Sequence, residues 1–234
     1  MKKILVTGGA GFIGSNLIKN LDAQNKFEIT SLDCYFTGKK ENHIKGINYV
    51  TGYTWDIEKI FPNTKFDLIY HFGEYSRIVK SFDDIEFVSN SILHGTPKVF
   101  DFARKCRSKI IYSASSSKFG NNGKDENLSP YSWMKSKMVE LLKNYNSWFD
   151  LDFEISYFFN VYGKRQIYDL DGDGVEDNVK RTRDELDDFY YPNQFGDAGD
   201  DIYNTHHGNL PGHLRLEEYE MPPAQVKLYK FNKD

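Results

Sequence analysis

The sequence lacks the long apolar runs of membrane proteins and the paired cysteines of disulfide-rich or zinc-binding proteins. No stretch of its 234 residues approaches the roughly 18 to 20 uninterrupted apolar residues of a membrane span. The opening MKKILVTGGAG reaches glycines too soon for a signal peptide. Its two cysteines, Cys34 and Cys106, lie far apart without metal-ligand spacing. We therefore expect a cytoplasmic protein with reduced thiols, no membrane contact and no zinc site.

The sequence also lacks a basic surface of the kind that binds nucleic acid. Residues 1–165 contain 23 Lys and Arg against 18 Asp and Glu, whereas residues 166–234 contain 7 against 16. The mildly basic first part suits an anionic small ligand, but its basic residues are scattered and do not cluster with aromatic ones. We expect a small-molecule partner and no nucleic acid.

Compact apolar segments alternate with helical patterns over the first 166 residues. Strands are predicted at residues 3–7, 27–33, 47–52, 66–73, 108–115 and 152–160, and helices at 13–21, at 85–105 and after Pro130. Strands that alternate with helices form a parallel sheet covered on both faces, with ligands at the carboxyl ends of the strands. The predicted fold class is therefore α/β, with a doubly wound parallel sheet over residues 1–166.

This alternation stops after Gln166. Residues 167–234 have few aliphatic side chains, many acids, and Gly, Pro and Asn throughout, a composition typical of irregular or partly disordered structure. We expect an acidic tail of unknown fold, with one helix near 177–190 and a short strand at 225–231.

A glycine-rich turn follows the first strand and opens the first helix. The spacing Gly8-x-x-Gly11-x-x-Gly14 permits a tight turn and close approach to a pyrophosphate, and the helix N-terminus supplies free N–H groups. Asp33 ends the second strand, where its carboxylate can accept both ribose hydroxyls and would repel a 2′-phosphate. The turn contributes Gly8, Gly11, Phe12, Ile13 and Gly14 to a predicted NAD site. The alternative is a turn that only packs.

A second constellation joins Ser115, Tyr131 and Lys135. Ser115 closes a strand, and the four-residue spacing puts Tyr131 and Lys135 on one helical face. There the ammonium can stabilise the phenolate and hold the nicotinamide ribose. Such a phenolate can exchange a proton with a sugar hydroxyl, which Ser115 also contacts, while hydride moves to or from the cofactor. The alternative is a surface pair without function.

Several motifs occur in the order of one known family. They are ILVTGGAGFIGSNL (4–17), LDCYFTGKKEN (32–42), WDI (55–57), HFGEYS (71–76), YSASSSKFGN (112–121), SPYSWMKSK (129–137) and YFFNVYGKRQ (157–166). On these motifs residues 1–166 resemble the NAD-dependent epimerase/dehydratase family of extended short-chain dehydrogenases, which includes enzymes similar to UDP-glucose 4-epimerases. The resemblance implies a Rossmann-type fold, NAD as cofactor and a nucleotide-sugar substrate.

The resemblance also implies roles for further residues. It places Asp56 and Ile57 at the adenine, Phe72 and Gly73 along the cofactor, Ser115 and Ser116 at the substrate, and Asn160 near the substrate diphosphate. It makes Tyr131 the base that acts while the sugar C4 hydroxyl is transiently oxidised. A homodimer through a helix bundle that includes residues 130–146 is also expected.

The sequence departs from the family at its end, because residues 167–234 do not resemble the usual substrate lobe. Three hypotheses follow. The chain is a nucleotide-sugar epimerase or dehydratase, a truncated or fused NAD-binding module without turnover, or a remnant that folds badly because a missing strand and lobe expose apolar surface.

One acidic segment beyond Gln166 carries weak candidate metal ligands. Asp169, Asp171 and Asp173 resemble the start of a calcium-binding loop, in which oxygens on alternate residues surround a hard cation. Position twelve of that loop is Lys180, whereas an EF-hand has a bidentate glutamate there. The alternative is a solvated acidic turn, and no metal is expected overall.

Overall fold

One twisted sheet forms the centre of the structure, a computed structural model that describes residues 1–119, 127–159, 161, 164–166 and the backbone of 226–230. Its strands are β1 (Lys2–Thr7), β2 (Phe27–Asp33), β3 (Asn48–Thr51), β4 (Leu68–His71), β5 (Lys109–Ser115), β6 (Phe153–Phe158) and β7 (Val226–Lys230). They lie in the order β3-β2-β1-β4-β5-β6-β7. The first six are parallel, and this confirms the predicted sheet.

The helices connect these strands as the apolar spacing predicts. They are α1 (Phe12–Asp22), α2 (Ile57–Ile60), α3 (Ile85–Ser89), α4 (Thr96–Cys106) and α5 (Pro130–Phe149). A π-helical stretch, Asn90–Gly95, joins α3 to α4, so the helix expected at 85–105 is present with an altered turn at its middle. Within the part of the chain that the structure describes, no helix is long and apolar enough to cross a membrane.

Both faces of the sheet are covered, as a doubly wound fold requires. Successive side chains of a strand point to opposite faces. Ile4 and Val6 therefore pack with Ile18 of α1 on one face, whereas Leu5 packs with residues of α4 and α5 on the other. Burial on both faces explains why these strands are apolar without alternation.

The carboxyl ends of four parallel strands share one edge of the sheet. Thr7 is the last residue of β1, Asp33 of β2, His71 of β4 and Ser115 of β5. The strand order reverses at β1, which has β2 on one side and β4 on the other. A crevice opens at such a reversal, so the fold gathers these side chains where a ligand can bind.

β7 extends the sheet beyond β6, in the direction opposite to that of the six parallel strands. Val226–Lys230 pairs antiparallel with Phe153–Phe158. The strand predicted at 225–231 is therefore present, on the outer edge of the same sheet as residues 1–166. The helix predicted near 177–190 lies outside the described residues.

Candidate active site

A cleft of about 690 Å³ opens at the carboxyl edge of the sheet. Most of the residues predicted for the site line it, namely Gly8, Gly11, Phe12, Ile13, Gly14, Asp33, Phe72, Gly73, Ser115, Ser116, Tyr131 and Lys135. The fold thus brings the two constellations of the sequence, the glycine turn and the Ser-Tyr-Lys set, into one cavity.

The glycine turn is packed too closely to accept side chains. The Gly8 N–H donates to the Leu32 carbonyl at 2.8 Å, and Gly8 has a φ of +73°. A Cβ at Gly8 would lie 2.8 Å from the Phe72 carbonyl oxygen, and one at Gly14 would overlap the Gly8 carbonyl. Only glycine fits these positions, and the backbone is left exposed to the cleft.

The N-terminus of α1 faces this cleft without a side-chain cap. Gly11 occupies the cap position with no side-chain hydrogen bond, and the first turn has no acidic residue. The first N–H groups of a helix lack intrahelical partners and carry partial positive charge. The turn therefore fits a pyrophosphate, the group that a dinucleotide would place there.

Asp33 is a buried carboxylate at the end of β2, with 6% of its surface exposed. Its Oδ2 accepts from the Ala10 N–H and its Oδ1 from the Tyr35 N–H, each at 2.8 Å. Burial raises the pKa of Asp33, and these backbone hydrogen bonds oppose the rise. Each oxygen keeps a lone pair, so the carboxylate fits the two hydroxyls of a ribose.

The start of α5 fixes the tyrosine and the lysine. Ser129 caps the helix by accepting from the Ser132 N–H at 3.1 Å, and Pro130 occupies the first turn. On this helix Tyr131 and Lys135 are buried, although both line the cleft.

Ser115 presents its hydroxyl at the same edge. The Ser115 Oγ accepts from the Ser117 N–H at 3.2 Å and from the Ser117 hydroxyl at 2.9 Å. Its own hydrogen is therefore free to be donated to a ligand.

The sequence interpretation missed a partner of Lys135. Its Nζ donates to the carboxylate of Glu74 and to the Ser113 carbonyl, and it lies 4.8 Å from the centre of the Tyr112 ring. The Glu74 side chain is 2% exposed, so the ion pair is buried. One signal could have indicated it, because Glu74 is the third residue after β4, close to the strand end where ligands bind.

Two predicted residues do not line the cleft. Thr54 and Trp55 line it instead of Asp56 and Ile57. Asp56 pairs with Lys59 at 2.7 Å, and Ile57 is fully buried in the core. A contact of these two residues with the adenine therefore remains a prediction from the resemblance alone.

The other predicted positions lie outside the described residues. These are Asn160 and the candidate metal ligands Asp169, Asp171 and Asp173. Within the described ranges, no group of histidine, cysteine, aspartate and glutamate side chains could hold a metal ion.

The doubly wound sheet and its glycine-lined cleft define a dinucleotide-binding α/β protein. The sequence model of the NAD dependent epimerase/dehydratase family matches residues 4–182. The chain belongs to this family, whose cofactor is NAD, and the resemblance drawn from the motifs is confirmed. The match also continues past Gln166, where the motifs end.

Individual relatives carry out different reactions on nucleotide sugars. UDP-glucuronic acid decarboxylase 6 of Arabidopsis thaliana is 29% identical over 71% of this chain and 53% of its own. The UDP-glucose 4-epimerase of Thermus thermophilus, solved with NAD, is 26% identical with a TM-score of 0.65, over 70% of this chain and 57% of its own. That of Thermotoga maritima, solved with UDP-glucose, is 25% identical with the same TM-score and the same two coverages. The chain thus spans little more than half the length of these three proteins.

Proposed function

We propose that the cleft binds NAD along the carboxyl edge of the sheet. The pyrophosphate would lie at the glycine turn and the α1 N-terminus, and the adenosine ribose at Asp33. The nicotinamide ribose would then reach Tyr131 and Lys135. The observation that carries this proposal is that one cavity is lined by all of these groups.

The reaction we propose is the transient oxidation of a sugar at its C4 hydroxyl. Tyr131, as phenolate, takes the hydroxyl proton, and Ser115 hydrogen-bonds the same oxygen. NAD, when bound, supplies the acceptor for the hydride that leaves C4. Tyr131 returns the proton when the hydride returns, so an epimerase consumes no cofactor. A dehydratase would share these first steps.

The substrate class we propose is the nucleotide sugars. The relatives named above act on, or are solved with, UDP-linked sugars. Binding energy from a remote nucleotide can orient the sugar at the reacting groups, so its contacts affect rate as well as affinity. Ser116 and Asn160 are the proposed additional substrate contacts, and the homodimer remains a prediction.

A second candidate function is NAD binding without turnover. It needs only the part of the cleft that the glycine turn and Asp33 line, whereas turnover also needs contacts with the sugar nucleotide. If a nucleotide sugar makes only some of its contacts with the protein, its reaction is slower.

The interconversion of UDP-glucose and UDP-galactose, with NAD supplied, tests the proposal. We expect Tyr131→Phe to slow it by about 10²- to 10⁴-fold, the usual contribution of a positioned acid or base. Tyr70→Phe is the matched control, because Tyr70 is half-buried in β4 but does not line the cleft. NAD binding without turnover in the wild type would favour the second candidate, and a Tyr131→Phe variant with full rate would refute the role of Tyr131.

A further inference from the structure

A charged carboxylate is buried next to the reacting end of the cleft. Glu74 accepts hydrogen bonds from the Lys135 ammonium, from the Thr96 hydroxyl and, at 3.1 Å, from the Tyr112 hydroxyl. An ammonium within hydrogen-bond distance favours the charged form of a carboxylate, and the two hydroxyls can each donate to it as well. The core therefore contains a compensated pair of charges, Glu74 and Lys135.

A chain of hydrogen bonds leads from the backbone of Gly73 to this carboxylate. The Gly73 N–H donates to Thr7 Oγ1 at 2.9 Å, and Thr7 Oγ1 lies 2.7 Å from His71 Nδ1. Burial lowers the pKa of His71 to about 4, so its ring is neutral. The Thr7 hydroxyl then donates to Nδ1, and the Nε2–H of His71 donates to Thr96 Oγ1 at 3.0 Å. Thr96 is thereby oriented to donate to Glu74.

Tyr131 shares a helix and a cleft with Lys135, the residue that Glu74 pairs with. Tyr131 and Lys135 stand four residues apart on α5 and both line the cleft. An ammonium stabilises a nearby phenolate, and a nearby carboxylate counteracts that stabilisation. The amount of positive charge available to Tyr131 thus depends on how fully Glu74 offsets Lys135.

We propose that Glu74 is a positioning residue that fixes the Lys135 ammonium and sets the pH at which Tyr131 forms its phenolate. The inference rests on the proposed function, in which the phenolate is the base. It deepens that function, because it makes the working pH range of the site a property of a residue outside the Ser-Tyr-Lys set.

Among the residues that the structure describes, His71 and Tyr112 are titratable groups that also lie against the pair. His71 on β4 stays neutral above pH about 4. Burial and then Glu74 raise the pKa of Tyr112 on β5 well above its ordinary value, and Tyr131 and Tyr157 act on it in the same direction. Neither His71 nor Tyr112 therefore changes charge in the pH range where catalysis would run.

A pH titration of phenolate absorbance tests the proposal without any substrate. It is recorded for the wild type and for Glu74→Gln, and each spectrum is corrected with the same protein carrying Tyr131→Phe. We expect the midpoint that belongs to Tyr131 to fall by about one pH unit in Glu74→Gln, because the ammonium is no longer offset. Glu74→Asp, which keeps the charge, should stay near the wild type. Equal midpoints in wild type and Glu74→Gln would overturn the proposal.

A second pair of variants covers the case in which Glu74→Gln does not fold. Lys135→Met and the double variant Glu74→Gln with Lys135→Met differ only in the carboxylate charge, and the double variant leaves no buried charge unpaired. The midpoint should be lower in the double variant, and equal values would overturn the proposal. A lower midpoint in Glu74→Gln, combined with a wild type that converts no nucleotide sugar, would refute the proposed function but support this role of Glu74.

Discussion

The two ends of the cleft are built from different kinds of group. We call them the phosphate end and the reacting end, after the pyrophosphate and the sugar that we propose they bind. At the phosphate end, the backbone of Gly8, Gly11 and Gly14 and the uncapped N-terminus of α1 face the cavity. At the reacting end, side chains from separate elements meet, and Lys135 forms a buried ion pair with Glu74. The phosphate end depends on the absence of side chains, whereas the reacting end depends on charges that must be compensated. We therefore expect substitutions at the reacting end to lower stability and substitutions at the phosphate end to weaken NAD binding.

The largest effect is expected at the reacting end, on stability. Glu74→Leu leaves the Lys135 ammonium buried without a counter-charge, and it should lower the free energy of unfolding by about 3–5 kcal/mol. Adding Lys135→Met should restore most of that loss, because no charge then remains unpaired. Denaturant unfolding of the single and double variants measures both changes.

The control for this pair is an ion pair on the surface of α5. Lys137 and Glu140 lie 2.9 Å apart with half-exposed side chains, so solvent screens their attraction. Glu140→Gln should change the free energy of unfolding by less than about 1 kcal/mol. A loss in Glu74→Leu as small as that in Glu140→Gln would contradict the comparison.

A smaller effect concerns the pH dependence of stability. Burial lowers the pKa of His71 from 6.5 to about 4, so between these values the unfolded chain binds a proton that the folded chain does not. The contribution of the neutral His71 to the free energy of unfolding is therefore fully present above pH 6.5. It is lost as the pH falls to about 4, which lowers the free energy of unfolding by about 3 kcal/mol.

The free energy of unfolding, measured between about pH 4 and 6.5 for the wild type and for His71→Gln, shows whether stability falls with pH as predicted. The variant should lose less stability than the wild type as the pH falls. His94→Gln is the control, because His94 is exposed and should leave the wild-type slope unchanged. An identical slope in His71→Gln would show that His71 does not control this transition.

At the phosphate end the expected effect is on affinity for NAD. Gly8→Ala would push a Cβ against the Phe72 carbonyl and should weaken NAD binding about thirtyfold, or about 2 kcal/mol. Gly46→Ala is matched to it, since Gly46 also has a positive φ, of +93°, but has nothing within 4 Å of an added Cβ. Calorimetric titration with NAD should show weaker binding in Gly8→Ala and unchanged binding in Gly46→Ala. Equal losses of affinity in the two variants would mean that backbone strain, and not the contact in the cleft, weakens binding.

The smallest effect is on the choice between dinucleotides. Asp33→Asn removes the charge that would repel a 2′-phosphate, and it should improve NADP binding relative to NAD about tenfold. Competition between the two nucleotides measures this ratio. An unchanged ratio would remove Asp33 from the ribose site.

The phosphate end could be predicted from the sequence because its parts are local. Gly8 to Gly14 form one turn between β1 and α1, and Asp33 ends the next strand, so spacing alone places them. The alternation of apolar segments likewise predicted β1 to β6 and their parallel arrangement. The antiparallel direction of β7 could not be predicted, because it depends on how the chain returns to the sheet edge.

The reacting end was only partly predictable. Ser115, Tyr131 and Lys135 carry a recognisable spacing, but Glu74 lies 61 residues from Lys135 and meets it only through the fold. The same limit applies to Thr54 and Trp55, which line the cleft where Asp56 and Ile57 were expected. A sequence motif indicates which segment lies near the ligand. Which side chain of that segment faces the ligand depends on how the segment packs.

Titration of NAD into the purified protein, after any bound dinucleotide has been removed, shows whether the cleft binds the cofactor. We expect saturable binding of one NAD per chain, in the cleft that Gly8 and Asp33 line. Absence of saturable NAD binding by the folded protein would contradict it.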